Sequence, residues 1–244
     1  VSVVVNGVLN GMAAVAILLC GGGSRRLRQG DASAPRKEWL LLEGRTFLAR
    51  VVEAVAPSVS GVVVVAAPDE PLPKLQRPVL VVRDTNPGAG PLSGIVDGIE
   101  AAVERARAEG LPEPVLAVLV SCDLPLLLPA VVDRLVGIAA GSDAEWTVPE
   151  VGGHRQVLLS VVRPSLLPTM RNWLQAGRRD LKGLLSACEA GGLGRVRIVS
   201  EAEIAAVDPE MRSFLDVDTV ADLGRVARQL TYGDGGGGSY TPPS

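Results

Sequence analysis

Residues 14–20, AVAILLC, run straight into the glycines of 21–23. Seven apolar residues in a row, without the polar alternation of a one-faced strand, read as a strand buried on both sides. The glycines end it in a loop whose backbone can approach a ligand closely. Similar runs recur at Gly61–Ala67 (GVVVVAA), Pro78–Val82 (PVLVV) and Val115–Cys122 (VLAVLVSC). Between them, Phe47–Val55 and Leu92–Ala108 space their apolar residues as a helix does, and so do Ala130–Ile138 and Leu166–Leu174 further on. Buried strands alternating with helices predict an α/β protein, a mostly parallel sheet covered on both faces.

The C-terminal third is less regular. Gln156–Val162 (QVLLSVV) and Val196–Val199 (VRIV) read as added strands, and Thr219–Leu230 as a closing helix whose Thr219 and Asp222 have capping-box spacing. With 244 residues, 47% of them hydrophobic, the chain can fill one sizeable core and is short for two. The expected organisation is a partly ordered N-terminal extension over residues 1–11, a single domain over 12–232 and a disordered Gly/Pro-rich tail over 233–244. Met12 is a candidate first residue. The apolar opening does not read as a signal peptide or lipoprotein site. No Lys or Arg precedes it, bulky Leu19 stands before Cys20, and Asn6, Gly7, Asn10 and Gly11 interrupt its first half.

Net charge is −3, from 24 Lys and Arg against 27 Asp and Glu, which supplies no basic stripe for a phosphate backbone. Aromatic residues make up 3% of the chain, too few for a base-stacking platform. Neither nucleic acid nor membrane is an expected partner. Cys20, Cys122 and Cys188 form no C-x-x-C pair, and their odd number suits neither a disulfide framework nor a zinc site, which points to a reducing, cytoplasmic compartment.

In an open α/β sheet, ligands bind beyond the carboxyl ends of the strands, and unusual residues gather at those ends here. The stretch from Leu19 to Arg26 (LCGGGSRR) offers backbone N–H groups with Arg26 as a fixed charge. It is either a phosphate cradle or a glycine turn with solvated arginines, and it matches neither G-x-x-x-x-G-K-[ST] nor G-x-G-x-x-G. Lys37, one of only three lysines, is a compact charge able to follow a phosphoryl group, or simply a surface residue. Arg83–Gly94 (RDTNPGAGPLSG) runs from a strand end into a helix, where Asp84 can accept hydrogen bonds from a ribose or base and the helix start offers free amides. Asp123, in CDLP, closes a very apolar strand, so its carboxylate must reach solvent or bind a cation such as Mg²⁺. In FLDVDT, Asp216 and Asp218 project to one side if the stretch is extended, and Asp218 is also a candidate helix cap.

Together, LCGGGSRRL with Lys37 following, RDTNPGAGPLSGI, VSCDLP, GHRQVLLSVVRPSLL with WLQAGRRDLKGLL, and FLDVDTVADL resemble the molybdenum cofactor guanylyltransferases of the MobA-like nucleotidyltransferase superfamily. The pieces lie in the family's order across roughly residues 14–224. The resemblance implies a Rossmann-like three-layer α/β/α sandwich of the nucleotide-diphospho-sugar transferase type. It implies an Mg²⁺-dependent enzyme that moves GMP from GTP to the terminal phosphate of molybdopterin and releases pyrophosphate. By the same resemblance Arg26, Lys37 and Asp123 are catalytic. Leu19, Cys20, Gly21, Gly22, Ser24, Arg26, Lys37, Asp84, Gly90, Pro91, Leu92, Gly94 and Asp123 would surround the nucleotide. Asp123 would hold the metal, with Asp216 or Asp218 completing the metal or acceptor site. His154, the only histidine, falls near a position facing the pterin, although a structural or surface role fits it better. GTP and molybdopterin would be the small-molecule substrates, with transient contact to molybdoenzymes or their chaperones.

Two departures from the family pattern leave alternatives open. The stretch between Arg26 and Lys37 is longer than usual, so Arg36 competes with Lys37 as the matching cation. Asp216-Val217-Asp218 stands where guanylyltransferases commonly carry two asparagines and the related cytidylyltransferases often carry aspartates. A molybdopterin cytidylyltransferase, a 2-phospholactate guanylyltransferase and a non-catalytic nucleotide-binding module are the rival readings. A phosphomonoester acceptor is mostly deprotonated at neutral pH, its second pKa being about 6, so no general base is required. A chain with one histidine and no Ser-His-Asp or Cys-His arrangement agrees with that.

Overall fold

The computed structural model describes residues 7–20, 35–88, 90–113 and 115–233. Expectations about the first six residues, about Gly21, Gly22, Ser24 and Arg26, and about the tail beyond Gly233 fall outside the described residues. In chain order the elements are β1 (Val8–Leu9), β2 (Met12–Leu19), β3 (Leu41–Leu42), β4 (Arg45–Thr46), α1 (Phe47–Val55), β5 (Gly61–Ala66), β6 (Leu80–Arg83) and α2 (Pro91–Ala108). There follow β7 (Leu116–Ser121), α3 (Pro129–Ala140), β8 (Trp146–Val151), β9 (His154–Arg155), β10 (Leu159–Val162), α4 (Leu167–Gln175), α5 (Leu181–Glu189), β11 (Val196–Val199), α6 (Glu201–Ala205) and α7 (Val220–Gly233).

The main sheet has the order β11-β8-β10-β7-β2-β5-β6. Strands β7, β2, β5 and β6 run parallel, as do β8 and β11, while β10 runs against both of its neighbours. β1 folds back on β2 through Asn10 and Gly11, both at positive φ. Burial explains why β2 is central. Ala14, Ala16 and Leu18 enter one apolar cluster with Val51 and Val55 of α1 and Val132 and Leu135 of α3. Val15 and Ile17, from the same strand, enter the opposite cluster with Ile95 and Ile99 of α2, Met170 of α4 and Leu184 of α5. The two-residue period of a strand thus feeds two cores at once, and three layers result.

Local signals set several boundaries. The hydroxyl of Thr46 accepts a hydrogen bond from the Ala49 N–H at 3.2 Å and starts α1. Before α7, the Asp222 N–H donates to Thr219 Oγ1 at 3.2 Å and the Thr219 N–H donates to Asp222 Oδ2 at 2.8 Å, the reciprocal pair of a capping box. A third cluster of Leu42, Phe47, Leu126, Val217, Leu223 and Val226 joins α7 to the β3–β4 hairpin and to the loop after β7.

The structure corrects some expectations. Pro78–Val82 was expected to be a buried strand, but β6 begins at Leu80 and forms the sheet edge, with Leu80 and Val81 36% and 41% exposed. β10 begins at Leu159 instead of Gln156, because the Gln156 N–H is engaged by the Pro149 carbonyl in the returning turn. Strand β8 and helix α5 were not anticipated. No helix among the described residues is long and apolar enough to cross a membrane.

α2 approaches β2 and β5 closely because position 98 is glycine. A Cβ there would lie 2.5 Å from Ile17 Cγ2 and 2.9 Å from Val65 Cγ2. Alanine would gain about 1 kcal/mol of helix propensity, but overpacking against two β-branched strand residues costs about 1–3 kcal/mol. Gly98→Ala is therefore expected to lower the urea midpoint of unfolding at unchanged m-value. A raised midpoint would show that the interface has slack.

Candidate active site

The carboxyl ends of β2, β5, β6 and β7 deliver the candidate residues to one end of the sheet. Past the end of β2, the Cys20 N–H bonds to the Val65 carbonyl at 2.8 Å and the Cys122 N–H to the Leu19 carbonyl at 3.3 Å. The strands therefore stay zipped up to Asp123, the next residue. Cys20 and Cys122 are buried free thiols. A hydrogen bond from the Cys122 thiol to Cys20, then burial, push the Cys122 thiol well above its ordinary value.

Lys37 opens a short 3₁₀ turn (Lys37–Trp39), and its Nζ reaches Asp123 Oδ2 at 2.8 Å and also pairs with Asp218 Oδ1. Burial pulls the lysine pKa down, but the charge and hydrogen bond of Asp123, and then those of Asp218, outweigh it and leave the pKa above the ordinary value. Arg36 instead turns to Glu70. Of the two competing cations, the structure brings Lys37 to Asp123.

The Asp216-Val217-Asp218 stretch is pinned by its middle residue. The Val217 side chain is fully buried in the third cluster, and its N–H donates to the Asp123 carbonyl at 3.2 Å. The flanking aspartates consequently emerge next to Asp123. Partial desolvation, and after it the charges of Asp123 and Asp218, raise the Asp216 carboxyl above its ordinary range against the pull of Lys37. The three carboxylates do not form the three-ligand group that a complete protein-made metal site would need. Among the described residues no such group is present, and Lys37 stands between Asp123 and Asp218.

On the other side of the strand ends, Asp84 follows β6. Its N–H bonds to the Ala66 carbonyl at 2.9 Å and its Oδ1 accepts from the Asn86 N–H at 2.9 Å, which sets the loop leading to α2. Gly90 caps that helix at φ 80°, ψ −178°, a conformation open to glycine, and Pro91 takes the first helical position. The first-turn amides have no partner within the helix. Leu92 is fully buried in the core, so it can offer a ligand only main-chain groups. A Cβ on Gly94 would lie 3.1 Å from Val65 Cγ1 and 3.7 Å from Leu19 Cδ2, so this glycine lets the helix start rest on the strand ends. His154 is exposed in the β8–β9 hairpin.

Residues 16–191 match the MobA-like NTP transferase domain. The chain belongs to that family. A protein named probable molybdenum cofactor guanylyltransferase, from Mycobacterium avium (strain 104), is 30% identical over 217 residues, covering 89% of this chain and 96% of that one. A protein of Desulfosudis oleivorans named molybdenum cofactor guanylyltransferase is 28% identical, with 91% and 98% covered. Among solved structures, molybdopterin-guanine dinucleotide biosynthesis protein A from Archaeoglobus fulgidus superposes with a TM-score of 0.68 at 19% identity, covering 90% of this chain and 99% of that one. The shared fold is that of nucleotidyltransferases.

Several residues that hold this MobA-like site in shape escaped the sequence reading. Asp97 of α2 accepts from the Thr85 N–H at 2.8 Å and from its hydroxyl at 3.1 Å, fixing the loop after Asp84. Arg50 of α1 donates to the Pro125 carbonyl at 3.0 Å and steadies the turn after Asp123. The signal available for Arg50 was a lone arginine inside the apolar run FLARVVEAV. The geometry at Arg36 and Lys37 gives a direct comparison. Lys37→Ala is expected to lower nucleotidyl transfer by about 10²–10³-fold, the usual loss of one close charge-assisted contact, and Arg36→Ala by much less. Steady-state pyrophosphate release checks the ranking, and the reverse order would make Arg36 the functional cation.

Proposed function

We propose that the chain is a molybdenum cofactor guanylyltransferase, transferring GMP from GTP to the terminal phosphate of molybdopterin with release of pyrophosphate. The observation that carries the reading is the Lys37 ammonium held between Asp123 and Asp218 at the strand ends, in a chain whose relatives carry that name over nearly their whole length. A charge kept on lysine by two carboxylates suits a site that handles phosphates, and a binding module would not need it beside a second acidic pair.

In the proposed reaction an oxygen of the acceptor phosphate forms a bond to the α-phosphorus of the nucleotide, and the bond from that phosphorus to the bridging oxygen of pyrophosphate breaks. The acceptor oxygen is already deprotonated, its group's second pKa being about 6, so the chain's task is alignment and charge stabilisation. Lys37 follows the negative charge shifting toward pyrophosphate. Asp84 and the amide-rich start of α2 hold the nucleoside end. Arg26, with Gly21, Gly22 and Ser24, belongs to the proposed phosphate cradle.

The site fits Mg²⁺. Asp123, Asp216 and Asp218 supply hard oxygen donors beside the ammonium of Lys37. Mg²⁺ commonly takes one or two carboxylates plus substrate phosphates and keeps its waters, so it does not require the three-ligand cage that the described residues lack. Asp123 with Asp216 or Asp218 would hold it, and it would supply charge neutralisation on the phosphates. Soluble residence in the cytoplasm and passage of product to a molybdoenzyme or its chaperone complete the proposal.

The aspartate pair that resembles the cytidylyl branch gives CTP as the second reading. It lies with Lys37, on the side assigned to phosphates, whereas base choice falls to main-chain groups of the loop carrying Gly21 and Gly22 and of the GPLSGI turn from Gly90 to Ile95. A site bonded to guanine leaves polar groups unpaired with cytosine, at about 1–3 kcal/mol each, so two such groups give roughly a hundredfold discrimination or more. Specificity constants for GTP and CTP, measured with molybdopterin at saturating Mg²⁺, are expected to favour GTP by that order. Equal values or a CTP preference would replace guanylyl by cytidylyl transfer.

A further inference from the structure

Lys37 spans Asp123 and Asp218 only if its main chain is held in place, yet the 3₁₀ turn that carries it is three residues long and has no side-chain cap. Such a turn does not hold itself. Its sequence neighbours are charged, and the carboxyl groups they bring together are buried. Arg36 donates to the carboxylate of Glu70, a residue 34 positions away in the β5–β6 connection and only 8% exposed. Glu38, on the other side of Lys37, is 1% exposed, and among the described residues its Oε1 has no hydrogen-bond partner. Burial, and then the nearby Glu70, raise the Glu38 carboxyl, while Arg36 opposes the rise. Arg36 is therefore the counter-charge between two buried carboxyl groups.

Glu70 has a second attachment. Its main-chain carbonyl accepts a 2.7 Å hydrogen bond from Arg83 Nη1, which also reaches the Ala67 carbonyl at 3.0 Å. Arg83 is the last residue of β6, directly before Asp84. One residue thus grips the lysine turn with its side chain and the strand leading to Asp84 with its main chain.

We infer that Glu70 is a positioning residue: through Arg36 it fixes the Lys37 turn relative to Asp84, and so sets the spacing between the phosphate and nucleoside ends of the site. The kinetic consequence rests on the proposed nucleotidyl transfer, whereas the geometric consequence does not. Glutamine at position 70 keeps the volume and the main-chain bond to Arg83 but removes the charge that Arg36 grips. The lysine turn then loosens while the β5–β6 connection stays packed.

Two readouts test this on the full chain. The first is amine-reactive labelling followed by mass spectrometry, with exposed Lys182 as internal standard. Glu70→Gln is expected to raise Lys37 labelling severalfold relative to Lys182. Arg36→Gln breaks the same contact from its more exposed side and should do likewise, which keeps the test decisive if Glu70→Gln does not fold. The second is kinetic. Glu70→Gln should lower kcat about tenfold with the nucleotide KM within about twofold, and should add nothing in a Lys37→Ala background. Unchanged Lys37 labelling in the folded variants, or an equal loss of kcat with and without Lys37, would overturn the inference. A wild-type chain that released no pyrophosphate with any nucleotide would defeat the functional proposal alone, and the labelling would still decide the role of Glu70.

Discussion

The ammonium of Lys37 lies between carboxylates 86 and 181 residues away in the chain. Three segments have to be in place for that contact to exist: the turn after the glycine loop, the end of β7 and the entry to α7. The last two are held by apolar burial outside the site, and the first by the contact of Arg36 with Glu70. The two-sided packing of β2 and β7 brings Asp123 to the strand ends, and burial of Val217 in the third cluster turns Asp218 toward it. A partly buried lysine costs desolvation, and a pair of carboxylates offsets it only when both are fixed. The site consequently depends on the packing of the cores beneath it.

The same arrangement separates two jobs that the sequence alone blends. Asp216 and Asp218 look like a determinant of the base in the sequence, where they resemble the cytidylyl pattern. In the fold, Asp218 is engaged with Lys37, and its N–H and that of Thr219 both bond to Asp222 at the start of α7. It therefore lies on the side that the proposed reaction gives to phosphates and a cation. Main-chain conformation dominates the opposite side, where Gly90 adopts a geometry closed to most residues and Gly94 lets α2 touch Val65 and Leu19. Selectivity built from main-chain groups leaves little trace in side-chain identity.

That distinction also accounts for what was legible in the sequence. Strands buried on both faces announce themselves by composition, so β2, β5 and β7 could be placed within a residue or two, and α1 is bounded as its periodicity predicts. Asp84 and Asp123 were legible as polar residues closing apolar runs. Strand β8 was hidden by Pro149, which a central strand should exclude. It is tolerated because β10 pairs with β8 only at Trp146 and Thr147. Helix α5 carries Gly183 early in its span and breaks the expected pattern. The reversed direction of β10 and the Arg36–Glu70 contact depend on long-range packing, and no local spacing encodes either. The choice between Arg36 and Lys37 was open in the sequence for the same reason.

Replacement of Asp123 by Asn tests the central carboxylate most directly, since it preserves shape while removing the charge that Lys37 and a phosphate-bound cation would share. The measurement is pyrophosphate release from GTP with molybdopterin across a Mg²⁺ titration, with far-UV circular dichroism as the check on folding. The expected result is a folded protein whose turnover is lowered by at least about 10²–10³-fold at every Mg²⁺ concentration. Near wild-type turnover at limiting Mg²⁺ would contradict the assignment of Asp123 and, with it, the site built around Lys37.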